Sequence, residues 1–166
     1  ARKAGLNPVK LNMVVLKNVN YDEIWDMVDF AASQNFILQL IELENLGNAK
    51  KFYQQYYVNL DLIETELKHE AVEEKVRTLH NRVIYRLPKK NVKVELVRPF
   101  HNTAFCMNCT RMRVTASGKL KPCLMRSENH IEMLSHIRNN ESDAELHKIF
   151  IEALNSREPY FPAKDQ

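Results

Sequence analysis

The sequence predicts a mixed α/β protein in which a βαβ unit comes first and an α+β region follows. Two short apolar runs, Val9–Leu16 and Phe36–Leu43, have the composition of buried strands. Between them, apolar residues recur at helical spacing from Asn20 to about Asn35, which predicts a helix with Asn20 as its N-cap. Because the joints are short, the two strands should be parallel and joined by a right-handed crossover.

The pattern changes near residue 50, and the rest of the chain is predicted to mix helices with hairpins. Helices are predicted over Lys50–Tyr57, Asp61–His69, Ile131–Ile137 and Asp143–Leu154, the last opened by Ser142. Two hairpins are predicted, one from Arg82–Leu87 and Val92–Val97 and one from Arg111–Thr115 and Leu120–Leu124. We therefore divide the chain into residues 1–50 and residues 51–166.

Composition restricts the class of protein. Of the 166 residues, 45% are apolar and 27% are charged, as in ordinary globular domains. No apolar run is long enough to cross a bilayer, and an odd count of three cysteines does not suggest a disulfide framework. We expect a soluble, cytoplasmic protein without a membrane partner. The chain opens with Ala1 and enters a strand at Val9, which suggests a piece of a longer protein.

Positive charge is concentrated in the middle of the chain. From Lys75 to Arg126 there are thirteen Lys or Arg residues and one acid, Glu95, whereas the remainder carries eleven basic and twenty acidic residues. Like charges at this density repel one another unless an anion lies against them. The distribution therefore indicates a phosphorylated ligand or a nucleic acid.

The three cysteines lie within an 18-residue window, as Cys106-x-x-Cys109 and Cys123. Two thiolates separated by two residues can bind one metal centre from a single turn, and the predicted hairpin would return the third to the same place. Thiolates suit iron–sulfur clusters and zinc. Three interpretations follow: an iron–sulfur cluster, a zinc site with His101 as fourth ligand, and ordinary buried cysteines. The narrow window favours a metal.

The residues around the cysteines follow a more specific pattern. It comprises Phe105-Cys-x-x-Cys109, Arg111-x-Arg113, Thr115, Gly118-Lys-Leu and Pro122-Cys-Leu124. This segment closely resembles the carboxy-terminal cluster motif of the radical-SAM GTP 3′,8-cyclase family of molybdenum cofactor biosynthesis. Three further segments resemble late barrel strands of that family and the residues after them. They are Gly5-Leu-x-x-Val-Lys10-x-Asn12, Val19-Asn20, and Ile41-Glu42-Leu43 followed by Gly47-Asn48.

The resemblance implies a fold and a metal centre. The fold would consist of late βα units of a partial (β/α)₆ TIM-type barrel, followed by an α+β cluster-binding tail. Cys106, Cys109 and Cys123 would be the ligands of an auxiliary [4Fe–4S] cluster. Three ligands leave one iron open, which in this family meets the guanine of GTP.

The resemblance also implies contacts with substrate and cofactor. Lys10 and the stretch Arg111, Met112 and Arg113 would contact GTP, with Met112 contributing its backbone, and Glu44 would lie where the family contacts S-adenosylmethionine (SAM). Guanidinium and ammonium groups suit a triphosphate. The complete enzyme would cleave SAM at a second [4Fe–4S] cluster, draw on an electron donor and join ribose C3′ to guanine C8. A homodimer is compatible with the sequence.

Departures from the family pattern limit what this chain does alone. The CxxxCxxC motif of the SAM cluster does not occur, so the chain should be inactive by itself. Glu44 stands where relatives often have Met. One rival is another radical-SAM enzyme whose auxiliary cluster serves a different substrate, such as a peptide. The other is a zinc-stabilised nucleic-acid module, which the scarcity of aromatic residues between the basic ones disfavours.

Overall fold

A computed structural model describes residues 1–45, 49–99 and 102–160. The chain divides into two compact units, Ala1–Phe105 and Cys106–Gln166. The architecture is mixed α/β, as the sequence predicts, and the predicted division at residue 50 stays a prediction. Within the described ranges, no helix is both long enough and apolar enough to span a bilayer.

Unit 1 is built on a five-stranded sheet of order β1-β2-β5-β4-β3. Its strands are β1 (Lys10–Val15), β2 (Ile37–Glu42), β3 (Glu73–Val76), β4 (Val83–Leu87) and β5 (Val92–Val97). β1, β2 and β5 are parallel to one another, and β4 and β3 continue the sheet antiparallel. The predicted parallel βαβ unit and the predicted hairpin of β4 and β5 are therefore confirmed.

The two faces of this sheet differ in character. On one face β1 contributes Met13 and Val15, β2 contributes Leu38 and Leu40, and all four are buried. The helix α1 (Ile24–Gln34) lies between β1 and β2 in the chain. The helices α2 (Lys50–Tyr56) and α3 (Asp61–Glu70) lie between β2 and β3. Apolar residues of α1 and α3 complete the same hydrophobic cluster, among them Ile24, Val28, Ala31, Ile63 and Leu67. Because side chains alternate along a strand, Lys10, Gln39 and Glu95 project to the opposite face, together with apolar residues such as Ile37.

The first helix begins in a different way from the prediction. A 3₁₀ turn over Tyr21–Glu23 precedes α1, and Asn20 makes no capping hydrogen bond to the helix. Its Oδ1 instead accepts a hydrogen bond from the Leu16 amide at 2.8 Å, and its Nδ2 donates to the Val14 carbonyl. Asn20 is thus the N-cap of the 3₁₀ turn rather than of α1, and its side chain closes the turn after β1 instead of capping the helix.

Unit 2 has a three-stranded sheet of order β6-β7-β8, with all pairs antiparallel. It contains β6 (Arg113–Val114), β7 (Lys119–Lys121), β8 (Ile131–Glu132), α5 (Leu134–Arg138) and α6 (Asp143–Asn155). The division between the units falls inside the short helix α4 (Thr103–Met107). The Ser142 hydroxyl accepts a hydrogen bond from the Glu145 amide, which confirms the predicted start of α6.

One predicted helix is only partly present. Residues 131–132 form β8 by pairing with β7, and the helix starts at Leu134. The predicted helix over Ile131–Ile137 was therefore wrong at its start, because pairing with a neighbouring strand is a tertiary contact that helical spacing does not report. Neither β3 nor α4 was predicted.

Candidate functional site

The Cys106-x-x-Cys109 segment forms one tight turn. Cys106 lies in α4, and the Cys109 amide donates to the Cys106 carbonyl at 3.2 Å. The same carbonyl accepts a hydrogen bond from Arg157 Nη2, also at 3.2 Å. Just before the turn, the ring of Phe105 stacks on His80, with ring centroids 4.0 Å apart. The backbone that carries the first two cysteines is thus fixed at several points.

A hairpin carries the chain back toward these cysteines. Arg113 pairs with Lys121 across β6 and β7, and Thr115 Oγ1 accepts a hydrogen bond from the Lys119 amide. Gly118 closes the turn at φ +77°, and an added Cβ there would lie 2.5 Å from Cβ of Leu134. Both the positive φ and the close packing require glycine.

The pairing ladder of this hairpin is short. It pairs Arg113 with Lys121 and Val114 with Leu120, and it stops two residues before it would reach Arg111 and Cys123. The hairpin therefore reverses the chain between Cys109 and Cys123.

The three cysteine thiols are chemically suited to bind a metal centre, but their side chains are not arranged around one. All three cysteines are free thiols and half-buried. Among the described residues, however, no group of three or more His, Cys, Asp or Glu side chains is arranged to hold a metal ion. His101, the alternative fourth ligand for zinc, lies outside the described residues. The chemistry of three thiols on a turn and a hairpin suits a cluster, and their ligand role stays a prediction.

The arginines after Cys109 differ in their surroundings. Arg111 is exposed, Met112 is half-buried, and Arg113 begins β6. Arg113 Nη1 is buried without a hydrogen-bond partner in the part of the chain that the structure describes. A buried N–H group of a guanidinium without an acceptor is costly. Arg113 therefore has a donor available for an anion, as a GTP contact requires.

Lys10 belongs to unit 1 and contacts a buried carboxylate. Its Nζ lies 2.8 Å from Oε1 of Glu95, whose side chain is 1% exposed. Gln39 Nε2 donates to Oε2 of Glu95. The register aligns Gln39 of β2 with Glu95 of β5, so the polar face of the sheet is centred on this carboxylate.

Two arginines complete the surroundings of Glu95. Arg77 Nη1 lies 3.2 Å from Oε1 and 3.4 Å from Oε2, and Arg82 Nη1 lies 3.5 Å from Oε2. Burial by itself would raise the pKa of Glu95. The hydrogen bonds from Lys10 and Gln39 and the nearby positive charges outweigh burial and hold that pKa below its usual range. Glu95 is therefore a carboxylate at neutral pH.

Sequence reasoning selected Lys10 but not Gln39, Arg77, Arg82 or Glu95 as site residues. A signal was present, because Glu95 is the one acid within a segment of thirteen Lys and Arg residues. The sequence does not show that β3 joins the sheet, nor that Arg77 comes directly after this strand.

Glu44, the predicted SAM contact, follows the carboxyl end of β2 and is half-buried. Its role stays a prediction. The segment Gly47-Asn48 that follows in the motif lies outside the described residues.

Comparison with known proteins gives a consistent set of relatives. The family model described as Molybdenum Cofactor Synthesis C matches residues 36–162. A protein of Thermococcus kodakarensis named "Probable GTP 3′,8-cyclase" is 49% identical over 160 residues, which cover 94% of this chain and 52% of the relative. Proteins with the same name from Pyrococcus horikoshii and Thermoplasma volcanium are 50% and 40% identical, covering 93% and 100% of this chain and 51% of each relative. The chain thus spans about half the length of the curated relatives it matches.

Proposed function

Because this chain belongs to the Molybdenum Cofactor Synthesis C family, we propose that it is the carboxy-terminal half of a GTP 3′,8-cyclase that acts in molybdenum cofactor biosynthesis. The observation that carries this proposal is the combination of relatives of that name at 40–50% identity with the Cys106-x-x-Cys109 and Cys123 pattern. In this reading, residues 1–50 are late strands of a partial (β/α)₆ barrel, and residues 51–166 bind the auxiliary cluster and GTP.

We infer that Cys106, Cys109 and Cys123 would hold an auxiliary [4Fe–4S] cluster. When bound, such a cluster offers an open iron that can bind a nitrogen or oxygen atom of the substrate. The turn at Cys106 and the hairpin through Gly118 support this arrangement, since both are short and hydrogen-bonded. Arg157, which donates to the Cys106 carbonyl, would hold the turn in place.

The remaining residues of the chain would bind and orient the nucleotide. Arg111 and Arg113 would pair with the phosphates, Met112 would contribute its backbone, and Lys10 would donate from the polar face of unit 1. Glu44 would contact SAM, which a second [4Fe–4S] cluster outside these 166 residues would bind with an electron donor as partner. In this proposal the chain binds the nucleotide substrate, and the rest of the enzyme binds and cleaves SAM.

The identity of the bound metal distinguishes this proposal from a zinc-stabilised nucleic-acid module. The chain is reconstituted without oxygen, and iron, acid-labile sulfide and zinc are measured. About four irons and four sulfides per chain are expected, with the broad brown absorbance of a cluster. Stoichiometric zinc that iron and sulfide do not replace would contradict the proposal and favour a zinc-stabilised module.

A binding measurement on the complete cyclase, with clusters reconstituted, tests the substrate class. GTP should bind more tightly than ATP, because the open iron and the neighbouring residues recognise the guanine. Equal affinity for both nucleotides, or binding of a peptide in their place, would identify a radical-SAM enzyme of another specificity.

A further inference from the structure

The polar face of unit 1 carries more positive charge than its buried carboxylate can neutralise. Lys10, Arg77 and Arg82 all contact Glu95 within 3.5 Å. Lys10 and Arg77 alone set two positive charges against this one carboxylate, which leaves a net charge of about +1 in a partly desolvated place, where an uncompensated charge is costly. Such a group of side chains favours binding of an anion.

The exposure of these side chains shows where an anion can reach them. Glu95 and Arg82 are 1% and 7% exposed, whereas Lys10 and Arg77 are 30% and 32% exposed. Glu95 and Arg82 therefore lie at the bottom of this group of side chains, and Lys10 and Arg77 lie nearer the solvent. An incoming anion would therefore meet Lys10 and Arg77 first.

Lys10 and Arg77 both keep hydrogen-bond donors that Glu95 does not use. Lys10 has three N–H groups on Nζ and uses one of them for Glu95. Arg77 uses Nη1, and in the described part of the chain its Nη2 and Nε have no acceptor. Both cations contact the same Oε1 atom, at 2.8 and 3.2 Å, so they are close enough for one phosphate chain to reach both.

A cavity of about 500 Å³ continues from Arg77 along the sheet. It is lined by Lys75, Val76, Arg77, Thr78, Ile84, Arg86 and Lys93, and none of these residues is acidic. Lys93 shares a row with Lys10, because both pair in register with Ile37 of β2 and directly paired residues project to the same face. Lys10 of β1 and Lys93 of β5 therefore lie on the same face of the sheet.

We propose that Arg77 is a further substrate-binding residue, which holds the phosphate chain of the nucleoside triphosphate together with Lys10, and that Glu95 positions both cations. This inference rests on the proposed function, since it adds a phosphate contact to the same substrate site. A planar guanidinium suits a phosphate better than an ammonium does, because Nε and Nη2 can donate two parallel hydrogen bonds. Glu95 would fix the guanidinium through Nη1 and leave the Nε–Nη2 edge for the ligand.

A purely structural ion-pair network would give a different result. If Lys10, Arg77, Arg82 and Glu95 only stabilise unit 1, loss of Arg77 lowers stability and disturbs all ligands equally. If Arg77 contacts phosphate, its loss selectively removes the advantage that GTP has over guanosine, which lacks the phosphates. The ratio of the two affinities is therefore the decisive readout.

The experiment compares GTP and guanosine binding by calorimetry in the complete cyclase with reconstituted clusters. Arg77→Gln should weaken GTP binding by about tenfold or more, the usual loss for a charge-assisted hydrogen bond, and leave guanosine affinity unchanged. The GTP affinity of Arg77→Lys should lie between those of wild type and Arg77→Gln. Lys89→Gln is the matched control, since it removes one charge from an exposed lysine of the β4–β5 hairpin and should change neither affinity.

The outcomes separate this inference from the proposed function. If wild-type protein binds GTP well and Arg77→Gln, folded by circular dichroism, binds it within twofold of wild type, the inference is wrong and the proposed function stands. Equal losses for GTP and guanosine would also overturn it. If wild-type protein with intact clusters does not bind GTP, both fail. Should Arg77→Gln not fold, Arg77→Lys decides in the same way, because it keeps the charge and loses the fork.

Discussion

The two units of this protein differ in how much apolar surface they bury. Unit 1 has a cluster of fifteen buried apolar residues that joins the sheet to α1 and α3. In the described residues of unit 2, the buried hydrophobic side chains are Leu120, Ile149 and Ala153. Large apolar residues on α5 and α6, such as Ile137 and Phe150, are exposed. Unit 1 has the core of an ordinary domain, and unit 2 does not.

The small apolar core of unit 2 is consistent with a metal-stabilised region. A region of about sixty residues that buries few apolar side chains gains little free energy from folding, and small domains of this kind usually need a disulfide or a metal. All three cysteines of the chain fall in unit 2. A bound cluster would supply there the stabilisation that unit 1 obtains from its core.

Loss of the proposed cluster should have the largest effect, and that effect should be confined to unit 2. Metal binding and folding are coupled where ligands come from distant parts of a chain. Replacing Cys106, Cys109 and Cys123 by Ser should abolish iron binding and raise amide hydrogen exchange in residues 106–160 by about tenfold or more, because opening becomes easier. Exchange in residues 1–99 should change little. Mass spectrometry of the exchanged peptides measures both.

Chelation provides the control for that experiment. A chelator should reproduce the change in wild-type protein and have no further effect on the triple variant. Equal loss of protection in both units would show that the apolar core of unit 1 does not suffice for its own stability.

Loss of the buried carboxylate should have the next largest effect, and it should be confined to unit 1. Glu95→Gln leaves three cations around a neutral side chain, and breaking a buried ion pair should cost roughly 2–4 kcal/mol in the free energy of unfolding at pH 7. Because the pKa of Glu95 is lowered from 4.5 in the folded state, its stabilising contribution is complete above about pH 5 and is lost as the pH falls below 4.5.

Urea unfolding of wild type and Glu95→Gln at pH 7 and pH 3.5 tests this expectation. The difference between the two proteins should shrink at the lower pH. Glu23→Gln, which changes an exposed carboxylate, is the control and should match wild type at pH 7. A difference that stayed constant with pH would mean that the Glu95 charge does not stabilise the fold.

A smaller effect is expected at the turn of the cysteine hairpin. In Gly118→Ala the new Cβ would meet Leu134 at 2.5 Å and would require φ +77°, so both packing and backbone oppose it, at a cost of about 1–3 kcal/mol. Gly5→Ala is the matched control, because Gly5 has φ +76° but nothing within 4 Å of an added Cβ. Thermal unfolding should therefore show a larger loss for Gly118→Ala, together with lower iron content. Equal losses would assign the whole effect to the backbone.

Local patterns predicted much of unit 1 and less of unit 2. The spacing of apolar residues in α1 and the alternation in β5 depend on neighbours in sequence, so they were visible directly. β3 and β8 were missed because their residues become strands only by pairing with β4 and β7. Asn20 occupies the N-cap position of the 3₁₀ turn before α1, but its side chain closes the turn after β1, which helical spacing does not report.

The family, the three candidate cysteine ligands and the concentration of positive charge between Lys75 and Arg126 were predictable from residue identity and spacing along the chain. Which charged residues meet in space depends on the tertiary structure. Lys10 and Arg77 lie 67 positions apart in the sequence, yet both contact Oε1 of Glu95. Strand order brings them together, and strand order is fixed by long-range pairing that no local pattern contains.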